Sequence, residues 1–134
     1  MKRILWVVLG VTLVTAGCAD PIAPATPTPV SPTVAETFSD TLIVGGSNLH
    51  LFTVTAIGGV KVTLPSLQPS AAVAIGVGTL GVGTCSLIDH LETVAGPGVQ
   101  MSGTITVPGQ YCVEIIDIGN LVEPAVYTIT VLHS

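Results

Sequence analysis

The chain reads as an all-β protein: a β-sandwich of about seven to eight strands, behind an export signal and a disordered proline-rich tether. Three observations predict this. Hydrophobic residues make up 49% of the 134 positions, yet aromatics are only 4% and charged residues 8%. The apolar content is therefore aliphatic and rich in β-branched side chains, which fit a pleated, half-buried surface. Apolar and polar residues alternate with period two in one short run after another, and glycine and proline punctuate the runs. No segment sustains a helical period.

The N-terminus comes first in chain order. Met1-Lys2-Arg3 is a basic start, Ile4–Val14 an apolar run, and Ala16-Gly17 a small-residue pair. This is the three-part signal-peptide pattern. The run is well short of the ~20 residues of a membrane span; a short uncleaved anchor is the alternative. Thr15-Ala16-Gly17-Cys18 resembles the bacterial lipobox, with Thr15 where that motif usually has Leu. The resemblance implies that residues 1–17 are a lipoprotein signal peptide. It also implies that Cys18 carries lipid: a diacylglyceryl group on sulfur and a further acyl chain, such as palmitate, on the new amine. Each buried CH₂ contributes about 0.8 kcal/mol, so two or three chains hold firmly where one is marginal. Aspartate directly after the cysteine is the common inner-membrane retention signal. Here Ala19 follows and Asp20 comes one place later. The expected location is the bacterial cell envelope, lipid-anchored, and the outer membrane where the cell has one.

Residues 18–36 form the lipidated cysteine and a linker. Pro21, Pro24, Pro27, Pro29 and Pro32 supply five of the ten prolines. Proline lacks an amide donor and fixes φ, so neither helix nor sheet is expected there. An extended tether of this length reaches roughly 50 Å. Thr26, Thr28, Ser31 and Thr33 are open to O-linked sugar; a plain spacer is the simpler reading.

Residues 37–134 are the expected β-sandwich domain, with alternation clear from about Phe38. Phe52, Val54 and Ala56 share one face of a run, as do Val60, Val62 and Leu64, and Val73, Ile75 and Val77. The pattern returns at Ile105 and Val107, at Tyr111, Val113 and Ile115, and at Tyr127, Ile129 and Val131. Turns are expected at Gly45-Gly46, Gly58-Gly59, Pro65 to Pro69, Gly96-Pro97-Gly98, Pro108-Gly109 and Gly119-Asn120.

Three cysteines are an odd number. With Cys18 taken by lipid, Cys85 and Cys112 admit one pairing, in a compartment that permits disulfides. The bridge would be worth about 3–4 kcal/mol in the chain-entropy model. Two buried reduced thiols are the alternative.

Phe52-Thr53-Val54, Val60-Lys61-Val62-Thr63-Leu64, Pro108-Gly109-Gln110-Tyr111-Cys112-Val113 and Ala125-Val126-Tyr127-Thr128-Ile129-Thr130-Val131 together resemble the bacterial pre-peptidase C-terminal (PPC) domain and its collagen-binding relatives. The resemblance spans roughly residues 38 to 133 and implies a compact jelly-roll-like sandwich. Such domains accompany secreted hydrolases and are thought to aid secretion or bind polymers. No catalytic domain is expected in these 134 residues. The collagen-binding relatives use surface aromatics and calcium, whereas Phe52, Tyr111 and Tyr127 are expected to face inward.

Charge excludes some partners. After Arg3, Lys61 is the only Lys or Arg, against eight acids in the chain. One cation cannot neutralise a run of phosphates, which excludes nucleic acid, and no polybasic patch exists for anionic lipid. Gly76-Val77-Gly78-Thr79-Leu80-Gly81 spells G-x-G-x-x-G, but no helix or ribose-binding acid follows it. A flexible or bulged strand edge is expected there, and no nucleotide or other cofactor.

Cys85-Ser86-Leu87-Ile88-Asp89-His90 holds a nucleophile near a histidine, but such sites are defined by geometry and not by adjacency; no catalytic residue is assigned. Asp117, Asn120 and Glu123 surround Gly119-Asn120 and are the calcium candidates. The simpler reading is a solvated hairpin loop in which Asn120 takes positive φ. Asp89, His90 and Glu92 are expected to face water from a loop. His50 and His133 look isolated.

The expected function is a membrane-anchored, non-catalytic sandwich that binds or adheres to an envelope or extracellular polymer or protein. A structural, secretion or assembly accessory without a ligand is the alternative, and a hydrolase a distant third.

Overall fold

Alternating strands bury one row of side chains each, and two sheets close those rows against each other. The computed structural model describes residues 22–134; the signal segment and Cys18 lie outside the described residues. The strands are β1 (Val34–Leu42), β2 (Ser47–Val54), β3 (Gly58–Gln68), β4 (Val73–Leu80), β5 (Cys85–Ala95), β6 (Gln100–Ile105), β7 (Gly109–Ile116) and β8 (Ala125–His133). They form two antiparallel sheets, ordered β1-β8-β3-β6 and β2-β7-β4-β5. Except for the β4–β5 hairpin, each strand is followed by one in the other sheet, which is the jelly-roll arrangement. The interior holds Val60, Val62 and Leu64 of β3, Val73, Ile75 and Val77 of β4, and Tyr127, Ile129 and Val131 of β8. Phe52 and Tyr111 are buried as their alternation requires.

Several boundaries differ from the sequence reading. Strand β1 starts at Val34, inside the stretch expected as tether, because Val34 to Glu36 complete a ladder with His133 to Val131. Val30 also bridges Gly58. Gly58-Gly59 is the start of β3 and not a turn. The missing Cβ of Gly58 lets the Val30 carbonyl and the Ser134 side chain approach. Pro65 likewise lies within β3, at a register shift between Thr63 and Ser66 that removes the need for its amide.

Cys85 and Cys112 form a disulfide with their Cα atoms 5.9 Å apart and a sequence separation of 27. It joins β5 to β7, the two neighbours of β4, so it must cross β4. The crossing point is Gly78, where a Cβ would meet the Ser86 carbonyl and the Cys85 sulfur. The glycine-rich stretch is thus an interior strand and not an edge. The irregularity lies opposite it: Gly76 pairs with Glu92 but Gly78 with Leu87. The extra residues of β5 bulge out, with His90 at φ 73°. The bulge turns Leu91 inward, where it is 4% exposed and occupies the space left by Gly103 of β6.

Replacing Cys85 and Cys112 by serine is expected to lower stability by about 3–4 kcal/mol. Gly78→Ala is expected to cost about 1–3 kcal/mol through overpacking against backbone. Urea denaturation of each variant beside Gly96→Ala, where an added Cβ would make only ordinary contact, 3.8 Å from the Ala71 carbonyl, checks both values; an unchanged Gly78→Ala midpoint would remove the crossing constraint.

Candidate functional site

Asp117 is the hub of the loops at the end of the sandwich where β1, β3 and β7 finish. It follows β7 and is 8% exposed. The Gly45 amide donates to its Oδ2 at 2.7 Å. The amides of Gly119, Asn120 and Leu121 donate to Oδ1 at 2.9, 3.0 and 3.1 Å. The Gly45 amide, ahead of the other three, holds the carboxyl below its ordinary value despite desolvation. Four backbone donors around one carboxylate satisfy an anion. Asn120 donates instead to the Ala72 carbonyl at 2.9 Å, and Gly119, not Asn120, takes the positive φ of 94°. Glu123 is exposed. Among the described residues no group of three His, Cys, Asp or Glu side chains is placed to hold a metal. The hub ties the β1–β2 and β7–β8 loops together, and both carry exposed apolar residues: Ile43, Val44, Ile118 and Val122.

The candidates in Cys85 to His90 do not converge. Cys85 is spent in the disulfide. Asp89, His90 and Glu92 lie exposed along β5 and its bulge and not in a loop.

A polar cluster that sequence reasoning missed closes the open edge between β1 and β2. Glu36, Phe38 and Asp40 pair with buried Val131, Ile129 and Tyr127 and share one face of β1; Glu36 and Phe38 are half-buried there, and Asp40 is exposed at the end of the row. Phe38 stacks on His50 with centroids 4.8 Å apart, and His50 Nε2 sits 2.6 Å from the Tyr127 hydroxyl. Burial pushes the His50 pKa down, against the opposing charge of Asp40. Burial pushes Tyr127 up, with Asp40 adding to it against the pull of Asn48. His133 Nε2 donates to Glu36 Oε1 at 2.9 Å. Neither histidine is isolated. The available signal was alternation itself, which places His50 on the face of Phe52 and Val54.

The two outer faces differ in chemistry. On the β1-β8-β3-β6 sheet, Thr37 faces Thr130 and Ser39 faces Thr128. Lys61, Thr63, Ser102 and Thr104 continue this polar face. The β2-β7-β4-β5 sheet is apolar outside. One row crosses Ile116, Ala74 and Val94; another crosses Leu51, Cys112, Gly78 and Leu87. Leu51 is 39% and Val94 60% exposed. Between these rows run Leu49, Glu114, Gly76 and Glu92. Contiguous exposed apolar surface of this kind is a common feature of interaction sites.

Comparison with solved structures finds the same fold. The chain is similar to PliG of Aeromonas hydrophila, a periplasmic lysozyme inhibitor of g-type lysozyme, with TM-score 0.55 and 12% identity over 78% of this chain and 95% of that one. It is also similar to the Yersinia pseudotuberculosis-derived mitogen, with TM-score 0.56 and 13% identity over 77% and 87% of the two chains. At such identities the likeness is one of fold. No protein-family model and no curated protein matches the chain.

The titration shifts predict a stepwise acid response. The neutral form of His50 is favoured in the fold, so its stabilisation is complete above about pH 6.5 and is lost as pH falls through the lower folded value. Asp117 acts in the same sense at lower pH: its stabilisation is complete above about pH 3.9 and fades as pH falls through its depressed value. Melting temperature against pH should lose its first decline in His50→Phe and its last in Asp117→Asn. Profiles parallel to the parent's would refute both assignments.

Proposed function

We propose that this protein is a lipid-anchored, non-catalytic module of the bacterial envelope that binds a protein partner through the outer face of the β2-β7-β4-β5 sheet. The observation that carries the reading is that face: Leu49, Leu51, Leu87, Val94 and Ile116 stand on a sheet with nothing packed over it, while the outer face of the other sheet is mostly hydroxyls, with Val126 exposed at one end. Residues 1–17 act as signal, Cys18 as lipid site and the proline-rich segment as spacer, supported by the lipobox-like Thr15-Ala16-Gly17-Cys18. The outer membrane is the destination where one exists. The PPC-like strand motifs agree with an accessory that serves other exported proteins. The PliG likeness adds a precedent: a sandwich of this shape acts as a periplasmic inhibitor of another protein.

Strand direction supports the geometry of presentation. The tether enters beside Ile57 and His133, where the Val30 amide donates to Ile57 and the Thr33 amide to His133. β1 then runs nine residues away from that end, about 30 Å at strand rise. The docking face therefore stands parallel to the direction of the tether and is open to a neighbour in the envelope. The hydroxyl-covered sheet is the one feature that favours an accessory without a ligand.

Two measurements test this. Cys18→Ser should move the protein from the membrane to the soluble fraction; continued membrane fractionation would sink the anchor. A photo-cross-linker at Leu51 or Val94 should give a discrete protein adduct in cells, and one at Thr128 none. Adducts from Thr128 alone, or from no position, would overturn the docking face.

A further inference from the structure

We infer that the partner of this face is a basic protein surface, with a lysine or arginine side chain seated between the β4 and β5 rows. The inference rests on the proposed docking face and names the chemistry of its occupant. Glu114 of β7 and Glu92 of β5 both pair with Gly76 of β4, so the two carboxylates stand in one row, two strand spacings or about 10 Å apart. Gly76 itself carries no side chain, and the Leu87 methyl groups lie over it, so only an uncharged aliphatic group stands between the two carboxylates. Apolar rows flank this row on both sides.

Beside Glu92 lies an open notch of about 250 Å³ lined by Ala74, Glu92, Thr93 and Val94. Apolar walls with one carboxylate at the end match a long basic side chain. Its methylene stem lies along Ala74 and Val94, and its charged head reaches Glu92. Nothing within the described residues competes for that carboxylate. Lys61 is their only Lys or Arg, and it lies on the outer face of the opposite sheet.

The same charges argue against a second copy as the occupant. A two-fold contact through this face brings Glu92 and Glu114 of one chain against the same residues of the other, with no cation available to either. Like charges in a desolvated contact are costly, whereas opposite charges steer association and fix register. Seven carboxylates against Lys61 within the described residues extend the same attraction beyond the notch.

The test uses the detergent-solubilised full chain and two short peptides, one alternating lysine with threonine and one alternating glutamate with threonine. The lysine peptide should bind and shift the amide resonances of Ala74, Glu92, Val94 and Glu114, more weakly as salt rises; the glutamate peptide should not. Glu92→Gln with Glu114→Gln should weaken binding at least about tenfold. Asp89→Asn, on the exposed bulge of the same strand, should change it little.

Equal binding of both peptides, shifts confined to the hydroxyl-covered sheet, or an unchanged affinity in the double variant would overturn the inference. So would self-association of the chain through Val94. A cellular adduct at Val94 whose partner meets the face with neutral or acidic residues would overturn it too, while leaving the docking face itself intact.

Discussion

The disulfide between Cys85 and Cys112 has to cross a strand, and much of the second sheet follows from that. Cysteines on the two neighbours of β4 can meet only if the residue beneath them has no side chain, and Gly78 satisfies this. Drawing the start of β5 towards β7 leaves β5 with more residues than β4 can pair, so β5 bulges before Glu92. The bulge sends Leu91 into the core against Gly103 and returns Glu92 to the outer face opposite Gly76. A covalent constraint on one side of the sheet thus sets both a core contact and the row of carboxylates on its outer face.

The two ends of the sandwich serve different purposes. At the end where the described chain enters, Val30 and Thr33 are hydrogen-bonded into the domain, so the proline-rich segment is held against it there. At the other end, one buried carboxylate gathers four backbone amides and holds two loops together. Asp117, read from the sequence as part of a hairpin loop and named among the calcium candidates, satisfies orphan amides, the same service that carboxylates perform at helix starts. Between the ends, the β1–β2 edge is closed by paired polar groups in place of aliphatic packing. Among the described residues every buried side-chain nitrogen or oxygen has a hydrogen-bond partner, so this closure leaves no buried polar side-chain atom unpaired.

The sequence by itself determined the class of fold, the inward set of Phe52, Tyr111 and Tyr127, and the Cys85–Cys112 pairing. Period-two alternation is local and survives without knowledge of neighbours; the pairing followed from the expectation that Cys18 carries lipid, and the structure forms that bridge. Strand β5 escaped because Cys85 to Ala95 alternates poorly: its bulge breaks the period midway. Tertiary structure alone decided where Gly58 and Pro65 belong, since a glycine pair or a proline becomes strand only when a partner strand supplies the ladder. It alone paired His50 with Tyr127 and His133 with Glu36, residues 77 and 97 positions apart. It alone set Glu92 and Glu114 in one row across Gly76, because strand register is a property of the sheet and no local pattern encodes which residues it will place side by side.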